Sequence, residues 1–206
     1  RSRKSLVRIQ TRMINKIKAI LNRQGVNLPW KRWGKLSQKW IEEHEFRNKD
    51  IIMRHLRILS QIEEEVKTLQ SEIEDLANSK KETRLLMTIP GIGPIHSMTV
   101  FSEIADNTRF SNSGKLCCYA GLIPGLRQSG NSSYYTGLIK HSTKTIKNEL
   151  IQAAWAAVGT KEANSLQLYY KRLVKKKGKQ KAICATARKM LTVAYSMLKY
   201  NKEFIA

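Results

Sequence analysis

Thr88-Ile89-Pro90-Gly91-Ile92-Gly93-Pro94 opens the stretch whose reading decides the fold. Tyr119-Ala120-Gly121-Leu122-Ile123-Pro124 and Arg127-Gln128-Ser129-Gly130 continue it. Pro90 ends a short helix over residues 83–88. Gly91 and Gly93 permit a tight turn, and Pro94 suits the first position of the next helix, where its missing N–H costs nothing. Ile95, Met98, Val100, Phe101 and Ile104 make that second helix apolar. Residues 122–141 show no aliphatic periodicity and read as one long structured loop, with no convincing strand pair. The apolar pattern lapses only here, between strong helices, so a chemical site is expected here.

Working outward, every other segment reads as helix. Leu6, Ile9, Met13, Ile14, Ile17, Ile20 and Leu21 recur at helical spacing over residues 4–24, and Gly25 stops that helix. Residues 36–81 are helical, with a break expected near Asn48. Within them Ile52, Leu59, Val66 and Ile73 take one heptad position, and His55, Ile62, Leu69 and Leu76 the other. This acidic helix suits a self-pairing arm or packing within its own domain. Further helices are expected through Tyr119, a short one capped by Ser111 or Asn112, over 143–158 with Ser142 as cap, and over 162–177 and 181–200. The expected fold is all-α, a long coiled-coil arm plus a compact helical domain. Its divisions are a basic linker helix and Trp-rich connector (1–35), the arm (36–81) and the helical domain (82–206).

Thirty-eight Lys and Arg against 16 Asp and Glu give a net charge of +22, with 206 residues in all. Such an excess implies a polyanionic partner, because each cation meeting a phosphate releases condensed counterions. Residues 1–50 carry +10, residues 51–139 are neutral, and residues 140–206 carry +12. Lys144 and Lys147 sit in the first turns of a helix, where cations oppose the helix dipole unless an anion lies nearby. Trp30 and Trp33 bracket Lys31 and Arg32; this pattern stacks on bases or packs under a helix, and both readings stay open. Residues 89–94 resemble a helix-hairpin-helix motif, whose turn amides and second-helix N-terminus grip a phosphate. Gly91, Ile92 and Gly93 are its candidate contacts, with Ile92 pointing inward or resting on a sugar. No apolar run spans a membrane. Cys117, Cys118 and Cys184 are an odd set without ligand spacing, which suggests buried thiols in a reducing cytoplasm.

Carboxylate-based metal chemistry finds no support, since no Asp follows Asp106. A serine can attack phosphorus, but the chain offers no Ser-His-Asp set, and by residue type alone Ser129 is an ordinary loop serine. Resemblance singles it out. The runs Ile89 to Pro94, Tyr119 to Pro124, Gln128-Ser129-Gly130, Gly137, Ile139-Lys140, Ile146-Lys147 and Gln152-Ala153-Ala154 resemble the C-terminal transposase domain of the insertion-sequence 110/116/902 family, relatives of the Piv-type DNA invertases. The linker helix and coiled coil are similar to that family's central region. Ser142, Thr143 and Lys147 depart from its usual Gly, Asn and Arg.

The resemblance implies a recombinase in which Ser129 is the nucleophile. It places magnesium on an N-terminal RuvC-like half that has no match here, so this chain alone is expected to be inactive. It implies DNA as partner, a structured guide RNA in some members, and homo-oligomers through the coiled coil. Arg127, Gly130, Lys140, Lys144, Lys147, Lys31 and Arg32 are the remaining expected nucleic-acid contacts. The alternatives are a non-catalytic helix-hairpin-helix nucleic-acid-binding module and a coiled-coil assembly protein.

Overall fold

The computed structural model describes residues 1–30, 32–104, 109–139, 142 and 144–204. Helices dominate it, as the periodicity predicts: α1 Ser2–Arg23, α2 Lys35–Glu43, α3 Lys49–Ser79, α4 Lys81–Met87, α5 Pro94–Ile104, α6 Ser113–Tyr119, α7 Lys144–Val158, α8 Ser165–Lys177 and α9 Lys179–Tyr200. The chain divides into two compact units, Arg1–Glu72 and Ile73–Ala206, with the division inside α3. Among the described residues no helix is long and apolar enough to cross a membrane.

In the first unit Ile17 and Leu21 of α1, Ile41 of α2, and Ile52, Leu56 and Leu59 of α3 close one buried cluster. The interval between α2 and α3 falls where the break was expected, and Asn48 there takes φ 60, a left-handed conformation that Asn tolerates better than most residues. Leu56, rather than His55, lies between Ile52 and Leu59 in the buried stripe. Further along, the same stripe turns polar. Glu63 accepts from Gln10 (3.3 Å) and Gln38 (3.2 Å), and Gln70 accepts from Arg3 (3.3 Å).

The second unit is built around α9. Its buried residues Ala182, Ile183, Thr186, Ala187, Met190, Leu191, Ala194 and Tyr195 recur in adjacent pairs every third or fourth position. That double stripe lets one helix serve neighbours on two sides, and α4, α6, α7 and α8 all pack on it. The small residues Ala182, Ala187 and Ala194 allow close approach, and Tyr195 donates its hydroxyl to the Phe110 carbonyl at 2.8 Å, buried. Asn164 caps α8: its side chain accepts from Gln167 N (2.9 Å) and donates to the Ala157 carbonyl (3.0 Å) and to Thr160 (2.9 Å). Those bonds fasten the start of α8 to the end of α7. Trp155 and Tyr170, with ring centroids 5.8 Å apart, carry the pairing back along both helices.

One expectation is corrected. The stretch expected to be a loop without strands contains an antiparallel hairpin, β1 Pro124–Ser129 and β2 Ser132–Leu138. Almost every residue of it is exposed. A strand without a buried face carries no alternation of apolar residues, which is why the hydrophobic pattern is silent here.

Candidate functional site

The hairpin is held from its root. Asn112 caps α6 by accepting from Lys115 N at 2.9 Å. Gly121 ends it at φ 70, where an added Cβ would overlap the Ser142 hydroxyl. The chain then enters β1, and Ile139 N donates to the Ile123 carbonyl at 3.1 Å to close the root. Lys147, a turn into α7, donates to the Ile139 carbonyl (3.2 Å) and the Ser142 hydroxyl (3.5 Å). This lysine therefore fastens the hairpin's exit to α7. Cys184 of α9 is within its electrostatic reach; burial pushes that thiol's pKa up and the Lys147 ammonium partly offsets the rise.

Ser129 is the last residue of β1 and pairs with Ser132 across the turn at Gly130 and Asn131. Gly130 takes φ 55, a conformation that costs glycine little. Because side chains alternate along a strand, the register places Arg127, Ser129, Ser132 and Tyr134 on one face of the hairpin tip. Leu126, Gln128, Ser133 and Tyr135 share the other. Directly paired Cβ atoms lie about 5 Å apart, so one phosphate-sized group can meet Ser129, Ser132 and the guanidinium of Arg127 together. All four side chains of that face are exposed. Lys144, the first residue of α7, is exposed as well. Lys140 lies outside the described residues.

The turn at 88–93 is spent largely on packing. Gly91 takes φ 83, and a Cβ there would overlap the Ala153 carbonyl oxygen and crowd Ala157 N, both backbone of α7. Ile92 is 5 % exposed, inside the core, the inward one of the two placements open to it. Gly93 alone faces open space, directly before α5. The turn also sits far from the hairpin. Gly91 meets α7 at Ala153 and Ala157, whereas the hairpin root meets it at Lys147. Six to ten residues of α7 separate Lys147 from Ala153 and Ala157, about 9–15 Å of helix.

In the first unit Trp30, Arg32, Trp33 and Lys35 line one open recess. Trp33 also packs against the buried cluster, and its indole nitrogen is buried without an acceptor. Lys31 lies outside the described residues. Among the described residues no three His, Cys, Asp or Glu side chains converge as metal ligands.

Sequence reasoning missed the shared face of Arg127 and Ser129 and the clamp made by Lys147. The first had a signal, since Gly130-Asn131 is two-residue turn chemistry followed by the strand-prone Tyr134-Tyr135-Thr136. The second had none, because its carbonyl acceptor is a backbone atom.

Residues 83–171 match the family described as Transposase IS116/IS110/IS902. The chain is 22% identical over 215 residues to the transposase for insertion sequence element IS1111A of Coxiella burnetii, covering 98% of this chain and 58% of that protein. It is 34% identical over 122 residues to the pilin gene-inverting protein of Moraxella bovis, covering 58% of this chain and 38% of that one. With the transposase for insertion sequence element IS1328 of Yersinia enterocolitica it shares 26% over 163 residues, 75% of this chain and 47% of the relative. The chain spans about half the length of these relatives.

Proposed function

The chain carries, over residues 83–171, the domain of the IS116/IS110/IS902 transposase family, and from that premise we propose that it is the serine-bearing, DNA-binding portion of a recombinase. In this reading Ser129 Oγ attacks a scissile phosphodiester: the Oγ–P bond forms, the P–O bond to the leaving deoxyribose breaks, and the serine proton departs with a base or solvent. The strand is then held as a phosphoserine ester until a hydroxyl reverses the step. Arg127 offsets charge on the phosphorus oxygens, and Lys144 and Lys140 hold the flanking backbone. The observation that supports this best is the hairpin face on which Ser129 and Arg127 stand together, exposed, on a hairpin whose root is fastened to α7 by Lys147.

Any magnesium would be held by acidic residues outside this chain, whose described side chains offer no converging donors. A guide RNA, with Trp30 and Arg32 stacking on its bases, and pairing of two protomers through α3 belong to the same proposal. Cytoplasmic location is proposed with them, from the absence of a disulfide among three free thiols.

A salt titration of duplex-DNA binding by the chain tests the reading. A steep fall of affinity with salt is expected, with no strand cleavage by the chain alone. A shallow salt dependence contradicts DNA binding, and cleavage by the chain alone contradicts the division of the site. A second reading, a non-catalytic helix-hairpin-helix clamp, draws on the open position of Gly93 at the start of α5. Loss of DNA binding in Gly93→Ala with binding kept in Arg127→Ala would favour it.

A further inference from the structure

Residues 163–202 hold 11 Lys and Arg and no Asp or Glu. Five of these cations, Lys175, Lys176, Lys177, Lys179 and Lys181, crowd the turn where α8 passes into α9 through Gly178. All five are exposed, and among the described residues none has an ion-pair partner. A lysine-rich C-terminus suits α8, because its carbonyls point there. Lys179 and Lys181 open α9, where the same dipole repels them. Helix chemistry thus accounts for three of the lysines and opposes the other two.

Two independent routes locate this turn. The start of α8 is bonded back onto the end of α7 by Asn164 and Gln167, and from the pairing of Trp155 with Tyr170 eight residues back along α7 reach Lys147 and eight onward from Tyr170 reach Gly178. Equal rises of about 12 Å put them at the same end of the unit. From the other side, Cys184 of α9, one helical turn after Lys181, is within electrostatic reach of Lys147. The turn therefore lies at the end that carries the hairpin root and Lys144. The opposite end carries the 88–93 turn, where Phe204 N donates to Thr88 Oγ1 at 3.2 Å.

We propose that the lysine-rich turn between α8 and α9, with Lys144, is the surface that tracks the DNA backbone beside the Ser129 hairpin. This rests on the DNA-binding reading above and adds to it where the duplex lies. Point charges on flexible stems suit backbone contact, which positions a duplex without reading its sequence. Ser129 and Arg127, at the hairpin tip about 20 Å of strand from its root, then meet one phosphate while the lysines hold phosphates further along the duplex. The 88–93 turn, at the far end of α7, acts as a packing unit.

Two charge-matched triple variants of this chain test the placement against a ~30-base-pair duplex. Lys175→Gln/Lys177→Gln/Lys179→Gln removes three cations from the lysine turn. Arg84→Gln/Lys199→Gln/Lys202→Gln removes three near Thr88. For the first, the slope of log affinity against log salt is expected to drop by about 2–3, with binding about 100-fold weaker near 0.1 M salt. The second is expected to stay within about threefold of the parent, and circular dichroism should match for all three proteins. Equal losses in both variants, or a loss only in the second, would overturn the placement. Binding to duplex RNA alone, lost in the first variant, would overturn the choice of DNA. If the parent chain binds no duplex at all, the functional reading itself fails.

Discussion

Replacing Gly91 by Ala separates packing from recognition at the turn that opens α5. Two costs follow from the structure. At φ 83 an alanine is strained by about 1–2 kcal/mol. Its Cβ would also overlap the Ala153 carbonyl oxygen and crowd Ala157 N. Both neighbours are backbone of α7, so the turn itself must move, at a further cost of about 1–3 kcal/mol. The expected total is about 3 kcal/mol, or roughly 10 °C in Tm for a unit of this size. Gly93→Ala is the control. Gly93 is not among the positive-φ glycines and its added Cβ meets nothing, so it should stay within about 0.5 kcal/mol. Urea unfolding of both variants, followed by circular dichroism, reads the difference directly. Equal stability of Gly91→Ala and the parent would refute the close approach to α7, and an equal loss in Gly93→Ala would refute the distinction between the two glycines.

Asn164→Ala removes the cap of α8 together with the buried bond to the Ala157 carbonyl. It should cost about 2 kcal/mol, visible as a lowered urea midpoint. Lys147→Met removes the cation that offsets the upward pull of burial on the Cys184 thiol. The thiolate fraction near pH 8.5 should fall, so alkylation of Cys184 by iodoacetamide should slow; unchanged labelling would place Lys147 away from it. Because burial raises this thiol, its contribution to folding is complete below the unfolded pKa and is lost as pH climbs through the higher folded one. The parent should therefore lose a little stability as pH rises past the ordinary thiol range, less so in Cys184→Ala.

Most of the helical frame was legible because burial on one side of a helix imposes a period, and residues such as Ile146, Leu150 and Ala154 keep it. Gly91 was legible as a turn residue, yet its reason was not: the sequence suggests close approach to a phosphate, while the structure shows close approach to α7. The hairpin was invisible to hydrophobic pattern because neither face is buried. Ser129 was ordinary by residue type and stood out only through resemblance. The fold adds Arg127 on the same face, a consequence of strand alternation once the register is known. The lysine turn was legible as charge, but its place beside the hairpin depends on how α7, α8 and α9 stack, which local spacing does not encode.

The most direct test of the central claim is covalent capture of DNA by a longer recombinase carrying this domain. Denaturing gel analysis with a labelled substrate should show a protein–DNA adduct that maps to Ser129 by mass spectrometry and vanishes in Ser129→Ala, while DNA affinity is kept. An adduct of undiminished yield in Ser129→Ala, or one mapped to another residue, would contradict the account.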